Sequence, residues 1–117
     1  EFKKKYSLEK RTEESTKILR SLVEKHPLEG KALIMLAQMA WNKQDFATAS
    51  LYFERSSKIA KWEVESLVQH GRMLVETRNY EKAVRLLERA ESIEPQPRVN
   101  RFLESIRNLL LSSRVRL

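Results

Sequence analysis

Apolar and small side chains recur along most of this chain at intervals of three and four residues. That spacing places them on one face of an α-helix. Within the first clear run, the recurring positions are Leu33, Leu36, Ala37 and Ala40. A second run begins at Phe46, directly after Asp45, whose side chain is suited to cap a helix N-terminus. The pattern predicts paired α-helices joined by tight turns.

The whole pattern returns after 34 residues without an insertion. The matched positions are Leu33 with Leu67, Ala37 with Gly71, Phe46 with Tyr80, Ala49 with Ala83, Phe53 with Leu87 and Ile59 with Ile93. A fixed period of this kind predicts a repeat architecture, in which each unit is one supersecondary element. In the second unit Asn79 takes the capping position of Asp45, and Pro95 and Pro97 end its second helix.

These residues resemble the tetratricopeptide repeat, a 34-residue helix–turn–helix unit. The family's small residues match Ala37 and Ala49 in the first unit, and the aromatic residue after its turn matches Phe46. Two departures are Lys61 in place of the closing proline and His70 in place of a leucine. The resemblance implies an all-α fold, an α-α superhelix in which antiparallel helix hairpins form a right-handed solenoid.

The repeat boundaries predict four segments. Residues 1–29 are expected to be the remnant of a preceding repeat, mostly its second helix, with Tyr6 late on a separate first helix. Residues 30–63 and 64–97 are the two repeats. Residues 98–117 predict an amphipathic C-terminal capping helix, because a solenoid needs an atypical end to cover its last apolar face. We therefore expect the chain to be part of a longer protein.

Composition and charge narrow the function. The chain has 117 residues, 41% hydrophobic and 33% charged, with only two Gly and three Pro, which is typical of a helix-rich domain. Its net charge is +7, but residues 32–97 carry nine basic and nine acidic side chains. A nucleic-acid-binding body would concentrate Lys and Arg there, so this neutral centre disfavours nucleic acid.

The longest apolar runs are too short to cross a membrane. The sequence assigns no compartment, and cytoplasmic is the default expectation.

The sequence offers no candidate catalytic or metal site. It has two His and no Cys, and it lacks metalloprotease, phosphate-loop and EF-hand motifs. His70 falls at an expected position between helices, where a hydrogen-bonded packing role is the favoured interpretation. We predict that the chain is not an enzyme and needs no cofactor.

The resemblance implies a partner-binding groove lined by the first helix of each unit. Carried over residue by residue, this groove comprises Lys31, Ile34, Met35, Gln38, Trp41 and Asn42 from the first unit, and Glu65, Val68, Gln69, Arg72, Val75 and Glu76 from the second. The mixture of apolar and hydrogen-bonding side chains suits an extended peptide or a helix. Ile34, Gln38 and Val68 stand where chaperone-tail-binding members of the family carry Lys or Asn, which disfavours that class of ligand. Intramolecular packing is the alternative role for Trp41, and a surface ion pair is the alternative for Arg72.

Three functions are therefore kept open. The favoured one is a non-catalytic protein–protein interaction scaffold that binds a partner peptide or helix and is itself a monomer or a weak homo-oligomer. The second is a structural segment of a larger helical-repeat subunit that mediates oligomerisation or complex assembly. The third, which the neutral centre disfavours, is RNA binding by a helical repeat.

Overall fold

The computed structural model describes the backbone of residues 2–115 and the side chains of residues 10–113. Within these residues the chain is helical and contains no strand, which confirms the predicted all-α class. The helices are α1 (Phe2–Lys25), α2 (Gly30–Asn42), α3 (Phe46–Ser57), α4 (Glu63–Glu76), α5 (Tyr80–Ile93) and α6 (Pro97–Val115), with a short 3-10 helix at Ala60–Trp62. No helix in this described part combines the length and the apolar character that a membrane span requires.

The chain divides into two compact units, one ending at Ile59 and the other beginning at Ala60. Each unit contains one predicted hairpin, α2 with α3 in the first and α4 with α5 in the second. A further helix packs on each hairpin. Helix α1 packs on α2 in the first unit, and α6 packs on α5 in the second.

The second helix of each hairpin buries the face that the repeat predicts. Ala49 and Ala83 are both 0% exposed, and so are the bulky residues Phe53 and Leu87 one turn further along. An alanine-sized side chain lets two helix backbones approach to the short end of the usual 8–10 Å range. The predicted interior role of these small residues is confirmed.

A left-handed residue ends α2. The backbone at Gln44 has φ 62°, and its N–H donates to the carbonyl of Trp41 at 2.8 Å. The following N–H, of Asp45, donates to the carbonyl of Ala40 at 2.9 Å. These two bonds form a Schellman motif, which satisfies carbonyls that the end of a helix leaves without intrahelical partners.

The turn after α4 repeats this geometry 34 residues later. Arg78 has φ 64° and donates its N–H to Val75 at 3.0 Å, and the N–H of Asn79 donates to Leu74 at 2.7 Å. The two turns therefore have the same length and the same hydrogen bonds. This equality agrees with the 34-residue period of the sequence.

The two predicted N-caps differ in their side chains. Asp45 Oδ1 accepts a hydrogen bond from the N–H of Thr48 at 3.3 Å, as expected for a cap. Asn79 occupies the same position before α5, with similar backbone angles, but its side chain makes no capping hydrogen bond. Asn79 therefore lies at the predicted N-cap position, but the prediction that its side chain caps α5 is wrong.

Helix α1 runs without interruption from Phe2 to Lys25. The expectation that Tyr6 lies on a separate first helix is therefore wrong, because Tyr6 and Leu19 belong to one helix. The segment between Tyr6 and Ser15 contains neither Gly nor Pro, and it is rich in Glu, Lys and Arg, which are strong helix formers. This local sequence provides no turn.

Helix α6 closes the core of the second unit. It begins at Pro97, and a proline is favoured at the first position of a helix. Three of its apolar residues, Val99, Leu103 and Ile106, are at most 4% exposed and pack in one cluster with Leu87.

On the surface of α6, Arg107 pairs with Glu88 of α5 and with Glu104. The hydrogen bond to Glu104 raises the pKa of Arg107 above its usual range.

The face of α6 that points away from this core is polar. Arg101, Ser105 and Asn108 are exposed on it, in the register of Leu67, Gly71 and Leu74 of α4. Those three residues of α4 are buried in their hairpin. Helix α6 thus presents polar side chains where a helix inside the array presents apolar ones, which is the character expected of a solenoid end.

Candidate functional site

An open cleft of about 470 Å³ lies in the second unit, between α4 and the start of α6. Its lining consists of Lys61, Val64, Glu65, Val68, Gln69, Arg72, Glu94, Gln96, Arg98 and Val99. Four of these residues belong to the groove that the sequence predicts, namely Glu65, Val68, Gln69 and Arg72. The structure therefore brings part of the predicted set together within one unit.

The floor of the cleft is aliphatic. Val64 and Val68, one turn apart on α4, are half-buried, and Val99 of α6 is 4% exposed. Val68 and Val99 also belong to the core cluster that contains Leu87. Because these valines are part of the packed interior, the floor is held in place before any ligand binds.

Three cationic side chains from three elements line the cleft, namely Lys61 of the 3-10 helix, Arg72 of α4 and Arg98 of α6. The Arg72 guanidinium lies 5.9 Å from the centroid of the Phe102 ring, and Lys61 Nζ lies 5.6 Å from that of Trp62. Cation–π contacts of this kind restrain a charged side chain without neutralising it. These cations therefore remain available to an anionic group of a ligand.

Acidic and amide groups complete the lining. The Gln69 Nε2 amide donates to Glu65 Oε1 at 3.0 Å, a pairing of residues four apart on α4. Glu94, which follows α5 with an extended backbone, also lines the cleft. The cleft thus combines three cations with two carboxylates around an apolar floor, a composition suited to a peptide and unsuited to a purely anionic polymer.

The remaining groove residues of the second unit do not line the cleft. Val75 is half-buried and packs against the core cluster that α6 completes, while Glu76 is exposed outside the cleft. Helix α6 therefore covers part of the α4 surface that the sequence predicts to bind a partner.

The groove residues of the first unit differ strongly in exposure. Ile34 is 4% exposed and offers a partner almost no side-chain area. Met35 is 41% exposed, and Trp41 is half-buried with its ring edge-on to Phe53 at a centroid distance of 6.4 Å. The other three, Lys31, Gln38 and Asn42, are exposed. Trp41 thus makes the intramolecular contact that was the alternative interpretation of this residue.

The described side chains include no group of three His, Asp or Glu residues placed to hold a metal ion. His70 is 3% exposed and engaged in an interaction, as expected for a packing residue. No buried side-chain polar atom among the described residues lacks a hydrogen-bond partner.

Sequence reasoning missed six residues of the cleft, which are Lys61, Val64, Glu94, Gln96, Arg98 and Val99. Most of them lie outside the first helices from which the groove was assigned. The available signal was the 34-residue period itself, since it places residue 98 at the start of the next first helix, beside α4.

The comparisons with known proteins agree with the repeat. Residues 64–97 match the family model of the tetratricopeptide repeat. A similar solved structure is the N-terminal domain of stress-induced protein-1 (STI-1) from C. elegans, with a TM-score of 0.69 and 12% sequence identity over 76% of each chain. At that identity the likeness concerns the fold. No curated protein sequence matches the chain significantly.

Proposed function

We propose that this chain, whose residues 64–97 are a tetratricopeptide repeat, is a non-catalytic protein-interaction module that binds an extended segment of a partner protein in the cleft of its second unit. Tetratricopeptide repeats generally mediate protein–protein interactions. The observation that carries the finer proposal is the arrangement of Arg72 and Arg98 over a floor made by Val64, Val68 and Val99.

The lining defines the chemistry of the bound segment. Three valines favour an aliphatic side chain at the floor, where burial contributes about 25 cal/mol per Å² of apolar surface. Arg72 and Arg98 favour a carboxylate beside that anchor, because an arginine binds a carboxylate through two parallel hydrogen bonds. The proposed ligand is therefore an extended peptide with an aliphatic anchor and at least one adjacent acidic residue.

The groove residues predicted in the first unit do not line this cleft and are considered by themselves. Lys31, Met35, Gln38 and Asn42 stay as candidate contacts because their side chains are exposed. Ile34 is left out because it is buried, and Trp41 is assigned to packing against Phe53.

A peptide-display selection tests the proposal. The chain is used to select binders from a random peptide library, and the enriched peptides are measured by fluorescence anisotropy against Arg72→Glu. We expect the enriched peptides to share aliphatic and acidic residues and to bind Arg72→Glu at least about tenfold more weakly. Arg85→Glu is the matched control, since Arg85 is an exposed arginine of α5 outside the cleft. Equal binding to wild type and Arg72→Glu would contradict the proposal.

RNA binding receives no support from the cleft. Glu65 and Glu94 repel phosphates, and the two nearby aromatic rings, Trp62 and Phe102, each have a cation over them. Single-stranded nucleic acid is bound through exposed aromatic faces along a basic groove. The cleft has neither property.

A further inference from the structure

The exposed side of α3, in the first unit, carries a groove with an apolar centre. The groove encloses about 410 Å³, and its lining consists of Thr48, Leu51, Tyr52, Glu54, Arg55 and Lys58. Apart from Glu54, these residues lie three, four, seven and ten positions after Thr48 and therefore share one side of the helix. We call these five residues the outer stripe of α3. Leu51 is 62% exposed, while Tyr52 is half-buried and packs against the core cluster of the first unit.

The 34-residue period leaves the outer stripe outside the packing of the repeats. Leu51 aligns with Lys17 one period earlier and with Arg85 one period later, and all three residues are exposed. The buried residues Ala49 and Phe53 lie on another side of α3. Further repeats of the same kind, before or after α3 in the chain, are therefore not expected to cover the stripe. The repeat has a charged residue at this position twice, and only α3 has an aliphatic one.

Arg55 differs from its equivalent in the second unit. Arg89, one period later, donates from Nη2 to Glu63 Oε2 at 3.2 Å, an ion pair that offsets its charge. Glu29 stands one period before Glu63, yet Arg55 forms no ion pair with it or with any other described side chain. The Arg55 guanidinium lies instead 5.9 Å from the centroid of the Tyr52 ring. Because a cation–π contact restrains an arginine without cancelling its charge, Arg55 presents a positive charge beside the apolar centre.

Three further cations lie along or beside the outer stripe. Lys58 lines the groove itself, whereas Arg20 of α1 and Lys43 of the turn after α2 line a smaller space of about 50 Å³. Thr48 and Tyr52 belong to the lining of both spaces, so the two spaces adjoin. Within the part of the chain whose side chains are described, none of these three cations takes part in an ion pair.

The two acidic residues in these linings are already engaged. Asp45 Oδ1 accepts a hydrogen bond from the Thr48 N–H at 3.3 Å and caps α3. Glu54 takes part in an interaction of its own. Four cations thus stand against two carboxylates, and the surface carries a net positive charge. An acidic ligand complements such a surface.

The order of these groups defines the ligand. One pair of cations lies beside Thr48, near the start of α3, and the other pair, Arg55 and Lys58, lies near its end. Leu51 and Tyr52 stand between the two pairs. From Thr48 to Lys58 the helix rises roughly 15 Å, a length that about five residues of extended peptide cover. We propose that this surface binds a short extended segment of a partner protein, in which an aliphatic or aromatic centre has acidic residues on both sides.

This surface shares no residue with the cleft of the second unit, so the two sites are tested separately. The probe is a blocked synthetic hexapeptide, Asp-Glu-Leu-Phe-Asp-Glu. It is titrated to about 1 mM, a concentration suited to weak association, into the full chain with labelled Leu methyl groups and Tyr rings. The resonances of Leu51 and Tyr52 should shift. Those of Leu109, a 54% exposed leucine on α6, should not.

Matched variants separate binding from folding. Leu51→Glu and Arg55→Glu should each weaken peptide binding about tenfold or more, since one removes the aliphatic contact and the other reverses a complementary charge. Both side chains are exposed, so the unfolding temperature should stay within about 2 °C of wild type. Arg85→Glu, a change at the position of α5 that aligns with Leu51, should leave the Leu51 shifts as in wild type. Arg72→Glu, a change in the cleft of the second unit, should leave them unchanged as well.

Peptide variants test the order of the groups. Leu-Phe-Asp-Glu-Asp-Glu has the same composition but acidic residues on one side only, and it should bind more weakly than the probe. Lys-Lys-Leu-Phe-Lys-Lys should not bind, and added salt should weaken binding of the probe. Equal binding of the two acidic peptides would overturn the proposed order.

Four other outcomes would overturn the proposal as a whole. They are an absence of shifts at Leu51 and Tyr52, equal shifts at Leu109, undiminished binding by Leu51→Glu and Arg55→Glu, and shifts that grow with chain concentration without peptide. The last outcome would assign the stripe to a second copy of this chain. Binding to vesicles of phosphatidylcholine and phosphatidylserine, without any response to the peptide, would likewise overturn the proposal and assign the stripe to an anionic membrane surface.

Discussion

Gly71 lies so close to Leu87 that a Cβ atom built on the glycine would stand 2.9 Å from Leu87 Cγ. Leu87 is 0% exposed and packs in the cluster that α6 completes, so a shift of its side chain would disturb that cluster. The first unit carries Ala37 and Phe53 at the same two positions. Each hairpin thus pairs a small residue on its first helix with a bulky one on its second.

The contact between Gly71 and Leu87 predicts that Gly71→Ala is destabilising. Alanine gains about 1 kcal/mol of helix propensity over glycine. Against this, overpacking a filled core costs about 1–3 kcal/mol. We expect a net loss of up to about 2 kcal/mol in the free energy of unfolding, measured by urea denaturation. A variant more stable than wild type would mean that the packing between α4 and α5 can accommodate the added methyl group.

Two controls isolate the cause. Ala37→Gly is the reverse change at the equivalent site. It should lower the free energy of unfolding by about 1 kcal/mol through helix propensity and by about 0.8 kcal/mol through loss of a buried methyl group. In the second unit, Leu87→Ala should reduce the cost of Gly71→Ala, because it removes the Cγ and Cδ atoms that lie beside the added Cβ. The double variant should therefore lose less than the sum of the single losses. Strict additivity would contradict the contact.

The left-handed residues Gln44 and Arg78 predict a stabilising substitution. A non-glycine residue in this conformation costs roughly 1–2 kcal/mol, whereas glycine adopts it freely and loses about 0.5–1 kcal/mol through the entropy of the unfolded chain. Gln44→Gly and Arg78→Gly should each raise stability by about 0.5–1 kcal/mol, measured as an increase in Tm. Lys43→Gly is the control, since Lys43 has φ −86° and should gain nothing.

The sequence predicted the hairpins well because their determinants are local and periodic. The buried face of each second helix follows from Ala49 and Ala83, and the start of α3 follows from the capping chemistry of Asp45. Both signals depend on residues within a few positions of each other along the chain. The continuity of α1 through Tyr6 escaped prediction because the period was extended into a segment whose own residues favour an uninterrupted helix.

The site was harder to predict because its exposure depends on packing between distant segments. Ile34 and Met35 are neighbours in sequence with the same expected role, yet one is 4% exposed and the other 41%. Val75 is half-buried in the cluster that α6 completes, and Arg98 reaches the cleft because α6 starts beside α4. A helical period states which residues share a face. It does not state which neighbouring element covers that face.

The difference between the two N-caps predicts that truncating Asp45 lowers the free energy of unfolding more than truncating Asn79. Asp45→Ala removes the hydrogen bond to the Thr48 N–H and should cost about 0.5–2 kcal/mol. Asn79→Ala removes no side-chain capping bond and should cost only a few tenths of a kcal/mol. Urea denaturation of both variants in parallel checks this prediction. Equal losses would indicate that the Asn79 side chain caps α5 in solution.

The polar face of α6 predicts a change in association rather than in folding. Arg101, Ser105 and Asn108 occupy the register of Leu67, Gly71 and Leu74, which are buried in the hairpin of α4 and α5. The triple substitution Arg101→Leu, Ser105→Ala and Asn108→Leu would give α6 the apolar stripe of an internal first helix without a second helix to cover it. We expect the mass measured by light scattering to rise with concentration more steeply than for wild type, because a contiguous exposed apolar patch drives association. Ser105→Ala alone adds no large apolar side chain and should behave like wild type. If the triple variant keeps the mass of wild type over the same concentrations, the polar residues of α6 are not what limits association.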